Sequence, residues 1–453
     1  MFNNDTCLSK WHNSPHSLNG PLYWIERALV FFIVLTYSGL WIAILLGRAA
    51  ETQSMIAPDP GPIARASWFP AYLALIGLLG LNIKKLGSAS LKFWPIILLL
   101  GLAVASANWS LDPSLTQRRA IALSFSFMFG CYLAIRAPLV DTLRIIGWAW
   151  LTICILNFLL IFGAPHLGVH SELHVGAWRG FMTEKNHLGG EMARANLIFL
   201  ALVYFDRKTP AGQNKKAWWL GLALTWMLIL GSTSKTALIA TLIPYLGFLF
   251  YSIAIRTPIL GLLAFWGGLS LAGIGYAIIS ISPETVVALI GKDLTFTGRT
   301  GIWAIVIDLI NQQKWTGYGY GAFWVTPDGP VAFIVNTLEW NVPTAHNGWL
   351  EVGLAIGYPG LILIICISLF ALGKAAYLAT GKHGPFVFLM LFQIILFSLS
   401  ESILMQQNSH ASSLFYFFTA YAFIARKVAT DSQTPLLSAP HWALPPRTTK
   451  KRS

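Results

Sequence analysis

The chain has 453 residues, of which 55% are hydrophobic and only 11% charged, whereas a soluble domain carries about a quarter charged residues. With a mean hydropathy of +0.62, these figures exclude an ordinary soluble enzyme and indicate a polytopic membrane protein. The net charge of +13 comes from 31 Lys and Arg against 18 Asp and Glu, and is explained by membrane topology rather than by nucleic-acid binding.

Residues 1–21 are polar, with no cleavable signal pattern, and are expected to form a cytoplasmic tail. Apolar runs follow near 22–46, 66–83, 93–108, 119–135, 143–164, 186–205, 217–231, 236–255 and 258–280. Three more lie near 347–372, 385–400 and 410–425. Crossing hydrocarbon takes roughly 17–25 residues, so the expectation is about twelve transmembrane helices: nine within 22–280 and three within 347–425. The runs lack strict alternation, which favours helices over a barrel. With both termini cytoplasmic, about two thirds of the Lys and Arg fall on the inner side, as the positive-inside rule requires. The basic stretch 426–453 reads as a solvated cytoplasmic tail, and Cys7, Cys131, Cys154 and Cys366 suggest neither a disulfide framework nor a metal pair.

One connection stands out. Residues 281–346 form a large outer loop, far longer than the usual few connecting residues. Its stretch "TGRTGIWAIVIDLINQQKWTGYGYGAFW" is too apolar and aromatic for disorder. Ile302, Trp303, Val306, Leu309 and Ile310 share one helical face opposite Asp308 and Asn311, predicting a short helix on the membrane surface.

Polar residues gather at outer span ends in several separate stretches. "NWSLDPSLTQRRA" carries Arg118 and Arg119, and "WRGFMTEKNHLGGEMARAN" carries Arg179, Glu184, Lys185, Asn186 and His187. Lys235 opens the eighth span, Arg299 precedes the surface helix, His346 opens the tenth span and Glu401 closes the eleventh. Taken singly, each has a blander reading as a snorkelling cation or a helix cap. Glu191 and Arg194, three residues apart within the sixth span, read as a structural pair facing the protein interior.

The sequence has no H-E-x-x-H, paired C-x-x-C or G-x-S-x-G, so metal-dependent hydrolysis and a serine nucleophile lack support. A basic cluster with a histidine remains. Clustered Arg and Lys suit phosphate, and on an outward membrane face they suggest a lipid-linked diphosphate. Diphosphate is already a good leaving group that cations can stabilise. If it links lipid to sugar, the remaining need is a base for the acceptor hydroxyl, a task that fits an imidazole.

At these residues the chain resembles the O-antigen ligase and exopolysaccharide (O-antigen) polymerase family. The resemblance is carried by "EKNHLGG", "STSKTA", "TGRTGIW" with "GYGYGAFW", and "AHNGWLEVGLAIGYPG", where His346 and Gly357 have the H-x10-G spacing. It implies an all-α integral membrane protein of GT-C-type architecture: a metal-independent glycosyltransferase with no cofactor, in the bacterial cytoplasmic membrane with its active site facing the periplasm. The implied donor is an undecaprenyl-diphosphate-linked oligosaccharide, and the acceptor a growing glycan or lipid A-core. A chain-length regulator and export machinery are candidate partners. The family's catalytic histidine carries over to His346, its loop arginine to Arg299, its second basic residue to Lys235, and its Lys-Asn pair to Lys185 and Asn186. Arg179 and Glu401 are supporting candidates. Lys235 stands where the family usually has Arg, and Trp303 where the ligases have Leu in R-x3-L; the latter departure favours polymerase over ligase. A polytopic transporter is the alternative from another class, and it would call for a midplane site and broken helices in matching halves.

Overall fold

The computed structural model describes residues 20–46, 61–171, 174–206, 214–254, 257, 259–260, 299–326, 329–339, 342–379 and 384–425. Apart from an isolated bridge between Val169 and Trp178, its regular structure among the described residues is helical. The principal helices are α1 (Pro21–Tyr37), α2 (Phe69–Leu81), α3 (Trp94–Ala105), α4 (Pro113–Arg136), α5 (Leu139–Gly163) and α6 (Lys185–Phe205). They continue with α7 (Lys215–Gly231), α8 (Lys235–Ala254), α9 (Arg299–Gln312), α10 (Pro330–Leu338), α11 (Gly348–Leu378), α12 (Gly384–Phe397) and α13 (His410–Ile424).

Apart from the run near 258–280, of which residues 261–280 lie outside the described residues as do 1–19, 281–298 and 426–453, every expected span coincides with a helix. Where the sequence predicts about twelve crossings, seven helical stretches among the described residues are long and apolar enough to cross a membrane: Gly61–Leu81, Ile83–Asn108, Pro113–Arg136, Leu139–Gly163, Lys185–Phe205, Lys235–Ala254 and Gly348–Leu378. The protein is thus a multi-pass helical membrane protein.

Helices α6 and α13 are buried almost all round and form the centre of the main core. The α4–α13 approach depends on Gly130, because a Cβ there would lie 2.7 Å from Tyr416 Cβ and 2.8 Å from the Phe417 backbone nitrogen. Helix α4 starts at a defined point: Asp112 accepts from Leu115 N–H at 2.9 Å and Pro113 supplies the first helical position. That backbone hydrogen bond holds the Asp112 carboxyl below the usual carboxylate range.

Arg27, Arg136 and Arg144 are each held in an ion pair. Arg136 donates to both oxygens of Glu26, at 2.5 and 2.7 Å, and to Thr142 at 3.1 Å, and Tyr132 also donates to Glu26. Arg27 meets Asp141 at 2.8 Å, while Arg144 and Trp218 share Asp206. The Glu26–Arg136 pair is fully buried, so removing one partner strands a charge in a low-dielectric interior. Glu26→Ala is expected to destabilise the protein by about 3–5 kcal/mol, read as a large fall in the melting temperature of detergent-purified protein. A melt unchanged within a degree or two would refute this.

The segment from α9 to the start of α11 forms its own small core. Ile302, Val306, Leu309 and Ile310 of α9 pack with Tyr318, Phe323, Trp324, Ile334 of α10 and Leu354 of α11. The helix expected at 302–311 is present, but its apolar face meets protein rather than a membrane surface, because α10 and α11 already cover it.

Candidate active site

His346 sits just before α11 in a tightly held turn. Its backbone adopts φ +48°, uncommon for a non-glycine residue, and its N–H donates to Thr344 Oγ1 at 3.1 Å. Three fastenings maintain that conformation. Asn347 caps α11 by accepting from Trp349 and Leu350 N–H; Trp303 Nε1 of α9 donates to the Ala345 carbonyl; and the buried Glu351 accepts from Ala345 N–H at 2.7 Å. Glu351 also accepts from Trp324 Nε1 and Ser402 Oγ, so one carboxylate ties the loop, the glycine-rich segment and the 398–409 connection together. Glu351→Ala would orphan several buried donors at roughly 1–3 kcal/mol each. The expected result is a lowered melting temperature together with impaired transfer, because His346 loses its seat; a variant with normal melting and full activity would contradict this role.

The His346 side chain is 21% exposed, and its Nδ1 lies 3.7 Å from Glu401 Oε2. The other Glu401 oxygen accepts from Arg299 Nη2 at 3.0 Å, and Arg299 Nη1 also donates to the Ser400 carbonyl. Three residues singled out from distant parts of the sequence therefore meet, with Glu401 between Arg299 and His346. Lys185 and Lys235 open α6 and α8, two helices that pack side by side, with Gly189 against Ala237 and Ser234. The Lys185 backbone N–H donates to His170 Nε2 at 3.2 Å. Arg179 is buried and donates from Nε to the Leu167 carbonyl.

Beside this cluster lies a cavity of about 1070 Å³. His346, Glu401, Arg179 and Asn186 line it, whereas Arg299, Lys185 and Lys235 are not among its described lining residues. Arg65, Arg118, Arg119, Arg179 and Arg194 face it against three carboxylates, Glu184, Glu191 and Glu401, so its lining is cationic. Phe69, Leu73 and Ile76 of α2 and Ile121 of α4 also line it and are otherwise exposed, giving the same cavity an apolar flank. His410, Arg194 and Arg65 were not assigned to a site from the sequence. The available signals were ionisable residues at or within apolar spans, and for Arg65 an arginine on the side that positive-inside counting leaves poor in cations.

The "GYGYG" run has a structural explanation. Helix α11 is broken at Ile356 and Gly357, and the glycine-rich segment docks on the break. Tyr318 and Gly319 N–H donate to the Leu354 and Ala355 carbonyls at 2.7 and 3.1 Å, and Tyr358 N–H donates to the Lys314 carbonyl at 2.8 Å. The far side of the segment accepts from Leu111 N–H, Thr116 and Arg119, which anchors the start of α4 and one cavity arginine.

Residues 220–365 match the family model Wzy_C, described as O-antigen ligase, a range that includes Lys235, Arg299, His346 and Gly357. Over 322 residues the chain is 26% identical to the exopolysaccharide production protein ExoQ of Rhizobium meliloti (strain 1021), covering 67% of this chain and 69% of that protein. Together with the helical membrane fold, these matches make the chain similar to the O-antigen ligase family and to a protein of exopolysaccharide production.

Proposed function

We propose that the protein is a glycosyltransferase of the bacterial cytoplasmic membrane that, at its periplasmic face, polymerises oligosaccharide repeat units carried on a polyprenyl diphosphate. The observation that carries this reading is the histidine held beside a carboxylate on the edge of a cationic cavity with an apolar flank. In this reading the lipid lies along Phe69, Leu73 and Ile76, and the arginines attract the diphosphate. Glu401 orients His346 through Nδ1, leaving Nε2 to take the acceptor's proton. The 3.7 Å gap is longer than a hydrogen bond, and contacts of this kind tighten when substrate binds. Arg299, expected on the diphosphate, acts here through Glu401, while Lys185 and Lys235 add positive field at the neighbouring helix starts.

Polymerase is favoured over ligase by the similarity to a protein named for exopolysaccharide production and by Trp303 in place of Leu in R-x3-L. The ligase reading draws support from the description of the family model. The test is to incubate purified protein, without metal or nucleotide, with a polyprenyl-diphosphate-linked repeat and follow product length by mass spectrometry. A ladder of repeats is expected. Transfer appearing only when lipid A-core is supplied would make the protein a ligase, and no transfer to either acceptor would sink the glycosyltransferase reading.

A further inference from the structure

The connection between α12 and α13 carries a run of side-chain amides whose hydrogen-bonding capacity is largely unspent. Met405 and Asn408, at the two ends of the turn 405–408, adopt φ +52° and +53°, a region few non-glycine residues enter. Three other elements hold that turn. The Tyr320 hydroxyl of the glycine-rich segment is shared between the Met405 carbonyl and Gln407 Oε1. The Asn408 N–H donates to Ser126 Oγ of α4 at 2.9 Å, and the Tyr72 hydroxyl of α2 donates to Asn408 Oδ1 at 2.7 Å. Conformations of this kind persist only where the surroundings over-determine them, and they cluster at active sites and ligand clamps.

What the turn presents is neutral. Gln406, Gln407 and Asn408 are half-buried and line the cavity. Among the described residues Gln406 makes no side-chain hydrogen bond, while Gln407 and Asn408 each use one end of the amide, on Tyr320 and Tyr72, and keep the other. An aromatic wall adjoins them. The Tyr72 ring stacks on Phe125 of α4 with centroids 4.0 Å apart, Trp68 stands 6.4 Å from Tyr72, and all three rings line the same cavity.

An amide offers a donor and an acceptor side by side, which suits a hydroxyl, whereas a phosphate oxygen only accepts and would be repelled by the amide oxygens. A sugar ring carries hydroxyls round its edge and C–H groups on its faces, so it matches an amide row next to aromatic rings. The chain itself bounds the distance to His346. Glu401, whose Oε2 lies 3.7 Å from His346 Nδ1, stands five positions before Gln406, so no more than about 18 Å of extended chain separates the two. We propose that the 406–408 amides and the Tyr72–Phe125 wall form a glycan-reading edge, which selects an uncharged sugar of the repeat by its hydroxyl or acetamido groups. Gln406 determines that specificity, and Tyr72 is a positioning residue that acts through Asn408. The proposal rests on the glycosyltransferase reading and adds to it the class of sugar and the residues that choose it.

The test uses the purified full chain with lipid-linked repeat extracted from the organism that makes it, and takes KM and kcat from product length by mass spectrometry. Gln406→Leu keeps the side-chain bulk and breaks no side-chain bond among the described residues, so it is expected to melt as wild type. Its KM should rise by about tenfold with kcat within about twofold, the pattern of a lost binding contact. Tyr72→Phe keeps the ring stack but releases Asn408, and should raise KM by about threefold. An unchanged KM in folded Gln406→Leu would overturn the glycan-reading edge and leave the glycosyltransferase reading standing, whereas wild-type protein that transfers nothing would overturn both. Sugar-free undecaprenyl diphosphate, titrated calorimetrically, separates sugar from carrier. Gln406→Leu should bind it as wild type; a loss matching the rise in KM would place the carrier at the edge and refute the proposal. Single repeats and short lipid-linked polymers, varied in turn, distinguish the two sources of glycan: a rise in KM confined to either one supports the edge and names the glycan it holds.

Discussion

His346→Ala is expected to lower sugar transfer by about 100- to 10,000-fold, the range typical of losing a general base, while the protein still reaches the membrane and melts near the wild-type temperature. Stability should survive because the fastenings of this turn are made by Asn347, Glu351, Trp303 and Thr344 rather than by the imidazole. Among the described residues His346 Nδ1 has no hydrogen-bond partner, so truncation removes no bond from that atom. Glu401→Gln makes a finer comparison. It preserves shape but removes the charge linking Arg299 to His346, so its rate should fall while some transfer remains. Near wild-type turnover by purified His346→Ala would mean that another group accepts the proton.

Gly357→Ala should be the most damaging single-methyl change in the segment around the His346 turn, costing at least about 3 kcal/mol and most of the activity. Two effects combine. The residue adopts φ +66° and ψ −170°, a region that only glycine occupies readily. An added Cβ would also lie 2.7 Å from the Lys314 carbonyl oxygen and 2.8 Å from the Trp315 carbonyl carbon, both backbone atoms of the docked segment. Relief would require lifting that segment off the α11 break, with loss of the Tyr318, Gly319 and Tyr358 hydrogen bonds. Because the segment also accepts from Arg119, the cavity wall should loosen with it. A sharp fall in melting temperature together with loss of transfer is the expected pair of results; a stable, active Gly357→Ala protein would show that the break is dispensable.

Positions of helices are readable from the sequence because apolar runs report directly on burial in lipid, and α4, α5, α6, α8 and α11 lie where those runs predict. His346 and Arg299 are readable as candidates because an ionisable group at a membrane edge is conspicuous. Their meeting is not, since Arg299 and Glu401 are 102 positions apart and only the packing of α9 and α11 near the 398–409 connection joins them. The docked glycine run is equally hidden: its bonds are backbone to backbone, and any side-chain pattern permissive at φ > 0 would look alike. The Glu191–Arg194 spacing predicts the pair that forms, but nothing local to α6 announces that His410, 219 positions away, approaches the other carboxylate oxygen.

The multiple anchoring of Glu351 bears on how such a protein can diversify. The His346 turn, the start of α11 and the 398–409 connection are fastened to one another through a single buried carboxylate, whereas Phe69, Leu73, Ile76 and Ile121 stand on α2 and α4, outside that knot. Substitutions on α2 and α4 that leave their buried faces intact can therefore reshape what the cavity admits without disturbing the geometry around His346. New ligand preferences are accessible by drift on one wall, while the His346 end stays under constraint.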